Sequence, residues 1–176
     1  MRVRWFLVVL VMSACAFAQN KSPETLKGVL LEQLKTTHNN KDWFVPVNIA
    51  VAGLTAEQAS WKEGNGNHSI GELAYHLWYW DRDSLLKLKG ETPPKFSGNN
   101  DETFDKFDAK QWQDVTRQLD EVMTEFEKQV EAADDAKLKK FASMIAHVGT
   151  HNAYHIGQII YIRKEKGWWN PENGVK

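Results

Sequence analysis

From Leu138 to Ile162 the residues Leu138, Phe141, Ile145, Val148, Asn152, His155, Ile159 and Ile162 follow one another at alternating steps of three and four. A stripe of that period lines one face of an α-helix and needs a covering surface along its whole length. In a chain with no convincing strand pattern, that cover has to be other helices. Two members of the stripe are polar. Asn152 and His155 stand where leucine would be expected, His151 flanks them, and burying such groups unpartnered costs about 1–3 kcal/mol each. Something in the fold must satisfy them.

His147, His151 and His155 are three of the six histidines and recur at four-residue intervals. Side chains four apart share a helical face, so two imidazoles so placed can converge on one metal ion. All three cannot, because His147 and His155 are separated by about 12 Å of helix rise. A site therefore needs two of them and at least one ligand from elsewhere in the chain.

The rest of the chain supplies partners for the stripe. Ser22-Pro23-Glu24 reads as a helix start, continued by Leu26, Val29, Leu30 and Leu34. Pro46 interrupts the path, and Val45 to Leu54 is expected to continue the helix beyond a kink. Thr55-Ala-Glu-Gln58 and Ser69-Ile-Gly-Glu72 are both capping boxes. The first opens a short helix and the second a long one to Leu88, with the seam Ile70, Leu73, Leu77, Trp80, Ser84 and Leu88. His76 lies beside that seam and faces inward or nearly so. Gly90 to Phe107 is a loop longer than connection requires, as lids and interface segments often are. Asp108 is the expected N-cap of the third helix, whose stripe is Trp112, Val115, Leu119, Val122, Phe126 and Val130. A tight turn at Ala132 to Asp135 leads into the fourth, and Trp168-Trp169 is expected to cover one end of the core. The fold class is all-α: a four-helix bundle in an up-down arrangement, with one long loop between helices two and three.

The first 18 residues are set apart from the fold. Arg2 and Arg4 precede a short apolar run, and Ala16-Phe17-Ala18 is an A-x-A cleavage pattern. Residues 1–18 thus read as a signal peptide, and 19–176 as one domain that is exported, periplasmic or secreted, with no transmembrane segment. Met12-Ser13-Ala14-Cys15 loosely resembles a lipoprotein box, but Met fits the usual Leu position poorly, so a lipid anchor at Cys15 is the lesser option. Cleavage after Ala18 removes Arg2, Arg4 and the single cysteine, taking the formal charge from −1 to −3. Any metal site then rests on nitrogen and oxygen ligands. With no basic block, a nucleic-acid partner is not indicated.

His68-Ser-Ile-Gly-Glu-Leu-Ala-Tyr-His76-Leu resembles the second-helix motif of the DinB-like superfamily, the damage-inducible group that includes the YfiT-type proteins. His147-x3-His151-x2-Tyr154-His155-x-Gly157-Gln158-Ile159 resembles its last-helix motif, and Leu54 to Gln58 with Trp61 resembles its approach to helix two. The resemblance implies a four-helix bundle holding a divalent metal, zinc or nickel, on His76, His151 and His155. His147 is left open between a ligand, an outer partner of the ligands and a structural residue. An export signal is a departure from many relatives, and it argues against carrying over their use of cytosolic thiols.

Three histidines with room for a further ligand are the donor set of a catalytic zinc rather than a closed structural one. Asn152 replaces the Glu of H-E-x-x-H, so a zincin peptidase is not expected. Glu72 and Asp83 are candidate bases, although Glu72 also reads as the capping-box acid and Asp83 as a solvated charge; neither is assigned. Gln158 and Asn152 can orient imidazoles, while Trp78, Tyr79, Trp80 and Tyr154 can wall a pocket or merely pack. His68 reads as a cap or surface residue, and His38 is assigned nothing. The expected function is a metal-dependent hydrolase or transferase acting on a small molecule. The alternative is a non-catalytic, metal-stabilised binding or interaction domain, and the aromatic surplus is compatible with a homodimer.

Overall fold

The computed structural model describes residues 23–64, 66–104 and 107–174. The leader read at residues 1–18 lies outside them, as does Ser22. Among the described residues there are six α-helices and no strand: α1 (Leu26–His38), α2 (Val47–Val51), α3 (Ala56–Ser60), α4 (Ile70–Lys89), α5 (Trp112–Ala132) and α6 (Asp135–Glu165). No helix among them is long and apolar enough to cross a membrane. The four long helices close a ring in the order α1, α5, α4, α6 and so form the expected bundle.

Local chemistry sets the boundaries. Both capping boxes form, Thr55 with Gln58 on α3 and Ser69 with Glu72 on α4. Gly90 ends α4 at φ 80°, a left-handed conformation that glycine adopts without Cβ strain. Asp134 caps α6 by accepting from the Lys137 N–H. Asp108 caps a short 3-10 turn, Ala109–Gln111, that runs straight into α5 at Trp112.

Two expectations about the first helix are corrected. It begins at Leu26, capped by Thr25, whose hydroxyl accepts from the Gly28 N–H at 3.0 Å. Pro23 lies before the helix and folds across Gly28 closely enough that a Cβ there would sit 2.7 Å from its own. The run Val45 to Leu54 does not continue α1. The Lys35 carbonyl takes the N–H groups of both Asn39 and Asn40, which closes the helix, and Pro46 then caps a separate α2.

The α5 stripe is buried in full. On α6 the stripe is buried except at Phe141 and Ile162, which are half-buried. On α4 the core path differs from the expected seam: Trp80 and Ser84 are half-buried, and the buried line runs Leu77, Asp81, Leu85, Leu88. A seam drawn by apolar spacing passes over an aspartate. Trp169 is buried and donates its indole N–H to the Gly174 carbonyl, so the tail does close one end of the core.

The strap between α4 and α5 is held at Gly71. A Cβ there would lie 2.2 Å from ring atoms of Phe107, so Phe107 packs directly on the α4 backbone. Gly71→Ala must move that ring, at a cost of about 1–3 kcal/mol for overpacking, partly offset by the better helix propensity of alanine. The expected result is a melting temperature lower by roughly 3–6 °C in a thermal scan.

Candidate metal centre

Helix α4 delivers His76 and α6 delivers His151 and His155, and the bundle brings the three rings together. His76 Nε2 and His155 Nε2 each lie 3.1 Å from His151 Nε2. One ligand atom from each ring falls within 4.8 Å of the others. His76 and His155 are buried and His151 is half-buried.

The orientation of two rings is set from behind. His76 Nδ1–H donates to Thr103 Oγ1 at 2.6 Å, while the Thr103 hydroxyl donates its own proton to the Asn100 carbonyl, also at 2.6 Å. The hydroxyl oxygen can therefore only accept from His76, which leaves Nε2 bare and facing the cluster. His155 Nδ1–H donates to Gln158 Oε1 at 2.6 Å with the same consequence. Phe104 adds a packing constraint: its ring stacks on His76 at 3.9 Å and on His68 at 3.8 Å, and so lies between two imidazoles.

Electrostatics keeps the cluster neutral. Burial, followed by repulsion from His155, His151 and His68, pushes His76 down to about 3. Burial and His155 push His151 down to about 4. Burial also lowers His155, against the opposing bond to Gln158. All three rings carry free lone pairs at neutral pH.

These residues fit a divalent ion. Two bare Nε2 atoms point at a third nitrogen, which can offer at most one proton between them, so hydrogen bonds alone leave the cluster incomplete. A tetrahedral ion with nitrogens at 2.0–2.1 Å sets them about 3.3 Å apart, close to the two separations of 3.1 Å. Imidazole donors suit zinc, nickel and copper alike.

The cluster opens onto a cavity of ≈ 680 Å³ whose walls include Trp80, Asp81, Phe104, Met144 and Tyr154. Of the four aromatics that could wall a pocket or merely pack, Trp80 and Tyr154 line the cavity, while Trp78 packs on Tyr75 and Arg82, and Tyr79 on Trp80 and Phe96. His147 lines the cavity but stands outside the cluster, exposed, with its Nδ1–H given to the Ser143 carbonyl at 2.7 Å.

Several expected supporting roles change. Gln158 orients an imidazole; Asn152 does not, because its Nδ2–H donates to Asp81 Oδ2 at 3.0 Å across the α4–α6 interface. Glu72 is the capping-box acid and pairs with Lys62, while Asp83 is buried and paired with Lys87 rather than solvated. Neither is free to act as a base. His68 stacks on Phe104 rather than simply facing solvent. His38 is the sixth histidine and lies away from the cluster. Buried at the end of α1, it binds Glu127 at 2.7 Å and Asp120 at 3.0 Å.

Thr103, Phe104 and Asp81 are the site residues that the sequence reading missed. Thr103 and Phe104 come from a 3-10 turn in the long loop, where no periodicity marks an inward face. Asp81 carried a usable signal, since it follows the seam residue Leu77 by four.

The family model of the DinB superfamily matches residues 47–159, a stretch that contains all three clustered histidines. No curated protein and no solved structure gives a match. With its helical bundle and three-histidine cluster, and a family match over more than half its length, the chain belongs to the DinB superfamily.

Proposed function

We propose that the chain is a metal-dependent enzyme, a hydrolase or transferase, that acts on a small molecule at a divalent ion held by His76, His151 and His155. The observation that supports this most is the convergence of oriented, neutral imidazoles at the wall of an accessible cavity. A purely structural ion is better served by a closed set of four ligands. When bound, the ion would supply Lewis acidity and lower the pKa of a coordinated water. The protein's own part is to orient the donors through Thr103 and Gln158 and to wall the cavity with Trp80, Phe104 and Tyr154. Zinc and nickel are the proposed ions. Residues 1–18 are proposed to direct export, on the strength of Arg2, Arg4, the apolar run and the Ala16-Phe17-Ala18 box.

Elemental mass spectrometry of protein purified without a polyhistidine tag tests the metal claim. About one zinc or nickel per chain is expected, and none after reconstitution with either ion would sink it. Thr103→Val removes the hydroxyl behind His76 while keeping its shape. Metal affinity should then fall about tenfold, read by competition with a chelator.

A further inference from the structure

With Glu72 and Asp83 engaged elsewhere, Asp81 is the one carboxyl-bearing residue among the described residues that lines the three-histidine cavity. Asp81 is 1% exposed and Asn152 0%, and they face each other across α4 and α6. The Asn152 Nδ2–H reaches Asp81 Oδ2, but Asp81 Oδ1 and Asn152 Oδ1 have no partner among the described residues. Both are acceptors if Asp81 is a carboxylate, and leaving two buried acceptors unmade costs about 1–3 kcal/mol each.

One proton resolves both. Placed on Asp81 Oδ1, it turns that atom into a donor for the other unpartnered oxygen of the pair, Asn152 Oδ1, and such a bond would close a two-bond acid–amide ring with the one already present. Turning the Asn152 amide over exchanges the roles of its two atoms and leaves the same requirement for one proton.

We infer that Asp81 is held as a neutral carboxylic acid by Asn152 and serves as the proton donor of the three-histidine cavity. The neutral acid is argued from the pair itself; its use on a bound ligand rests on the metal reading above. The surroundings favour the proton. Leu34 of α1, Met123 and Phe126 of α5 and Val148 of α6 pack around the pair, and burial raises Asp81 to about 7 against the Asn152 bond and the attraction of His38. Among the described residues, the other titratable groups on the cavity are His76, His147, His151, Tyr154 and His155. In use, the O–H bond of Asp81 breaks and the proton goes to a basic atom of the cavity ligand. The carboxylate left behind keeps the Asn152 Nδ2–H, and cavity water returns the proton.

Infrared spectroscopy of the purified protein reads this directly. At neutral pH one carbonyl stretch of a protonated carboxylic acid is expected. It should vanish in Asp81→Asn and move to higher frequency in Asn152→Ala, which keeps the acid and removes its partner, so the test survives if either variant fails to fold. Absence of the band in the wild type overturns the neutral acid. On transfer to D2O the band should move within the mixing time; a band unmoved for hours marks a sealed core acid and overturns the donor role. Acetohydroxamate added to zinc-loaded protein should shift the band and leave it unmoved in metal-free protein, whereas an unmoved band in the loaded protein overturns the donor role. Failure to take up either zinc or nickel would instead sink the metal reading, and the first two readouts would still decide Asp81.

Discussion

His155→Ala is expected to lose stoichiometric metal binding while the bundle stays folded. Four-ligand zinc sites in small domains bind with about 10–16 kcal/mol, so one nitrogen is worth roughly 3–4 kcal/mol, or about 10²–10³ in affinity. Removing it leaves His76 and His151, on separate helices, and removes the ring that Gln158 orients. The packing loss is limited to the ring's contacts with His76, Phe104, His151 and Tyr154, because His155, although buried, borders the cavity. The expected thermal shift is a few degrees, consistent with about 1 kcal/mol. His76→Ala should behave in the same way, and His147→Ala should keep its metal, because that ring stands outside the cluster. Metal content and thermal melts before and after chelation check all three. Collapse of the wild-type fold on chelation would favour the rival in which the ion is structural and the domain binds rather than catalyses.

His38→Ala is expected to be the most destabilising histidine substitution, although His38 touches no part of the candidate site. The ring is 1% exposed and joins α1 to α5 through Glu127 and Asp120. Its loss takes from both carboxylates the ring that they share. Breaking a buried pair costs about 3–5 kcal/mol, but Asp120 is half exposed and can recover water, so roughly 2–3 kcal/mol is expected. That corresponds to a fall of about 5–10 °C in Tm.

The pH dependence of that difference has a definite sign. Burial by itself lowers His38, but the bonds to Glu127 and Asp120 and the attraction of both carboxylates raise it on balance above 6.5. A raised histidine contributes fully below its unfolded value and loses that contribution as pH climbs through the folded value. Asp120 is lowered from 3.8, first by its bond to His38. Its share is therefore present above 3.8 and is lost as pH falls through its depressed value. The gap between wild type and His38→Ala should be widest between about pH 4 and 6.5 and narrower at pH 9, measured by urea melts across that range. A gap that does not change with pH would show that His38 is neutral.

The helical class, the α5 stripe and most of the α6 stripe were legible because a helix repeats its inward face every three or four residues, and apolar residues there have nowhere else to go. That His147, His151 and His155 share one face of α6 was legible for the same reason, whereas the choice of His151 and His155 came from the family resemblance and not from the spacing. The capping boxes at Thr55 and Ser69 were equally plain, since each is closed by atoms three residues apart. Where a contact joins residues close along the chain, sequence determines it.

Only the tertiary structure decided the rest. The pairing of His76 with His151 spans 75 residues, that of Asp81 with Asn152 spans 71 and that of His38 with Glu127 spans 89. In each case a polar side chain sits in the core because a particular partner from another helix meets it there. Thr103 and Phe104 reach His76 from a loop whose path no periodicity describes. A buried polar residue in sequence announces only that a partner must exist; which partner it finds depends on how the helices are set against one another.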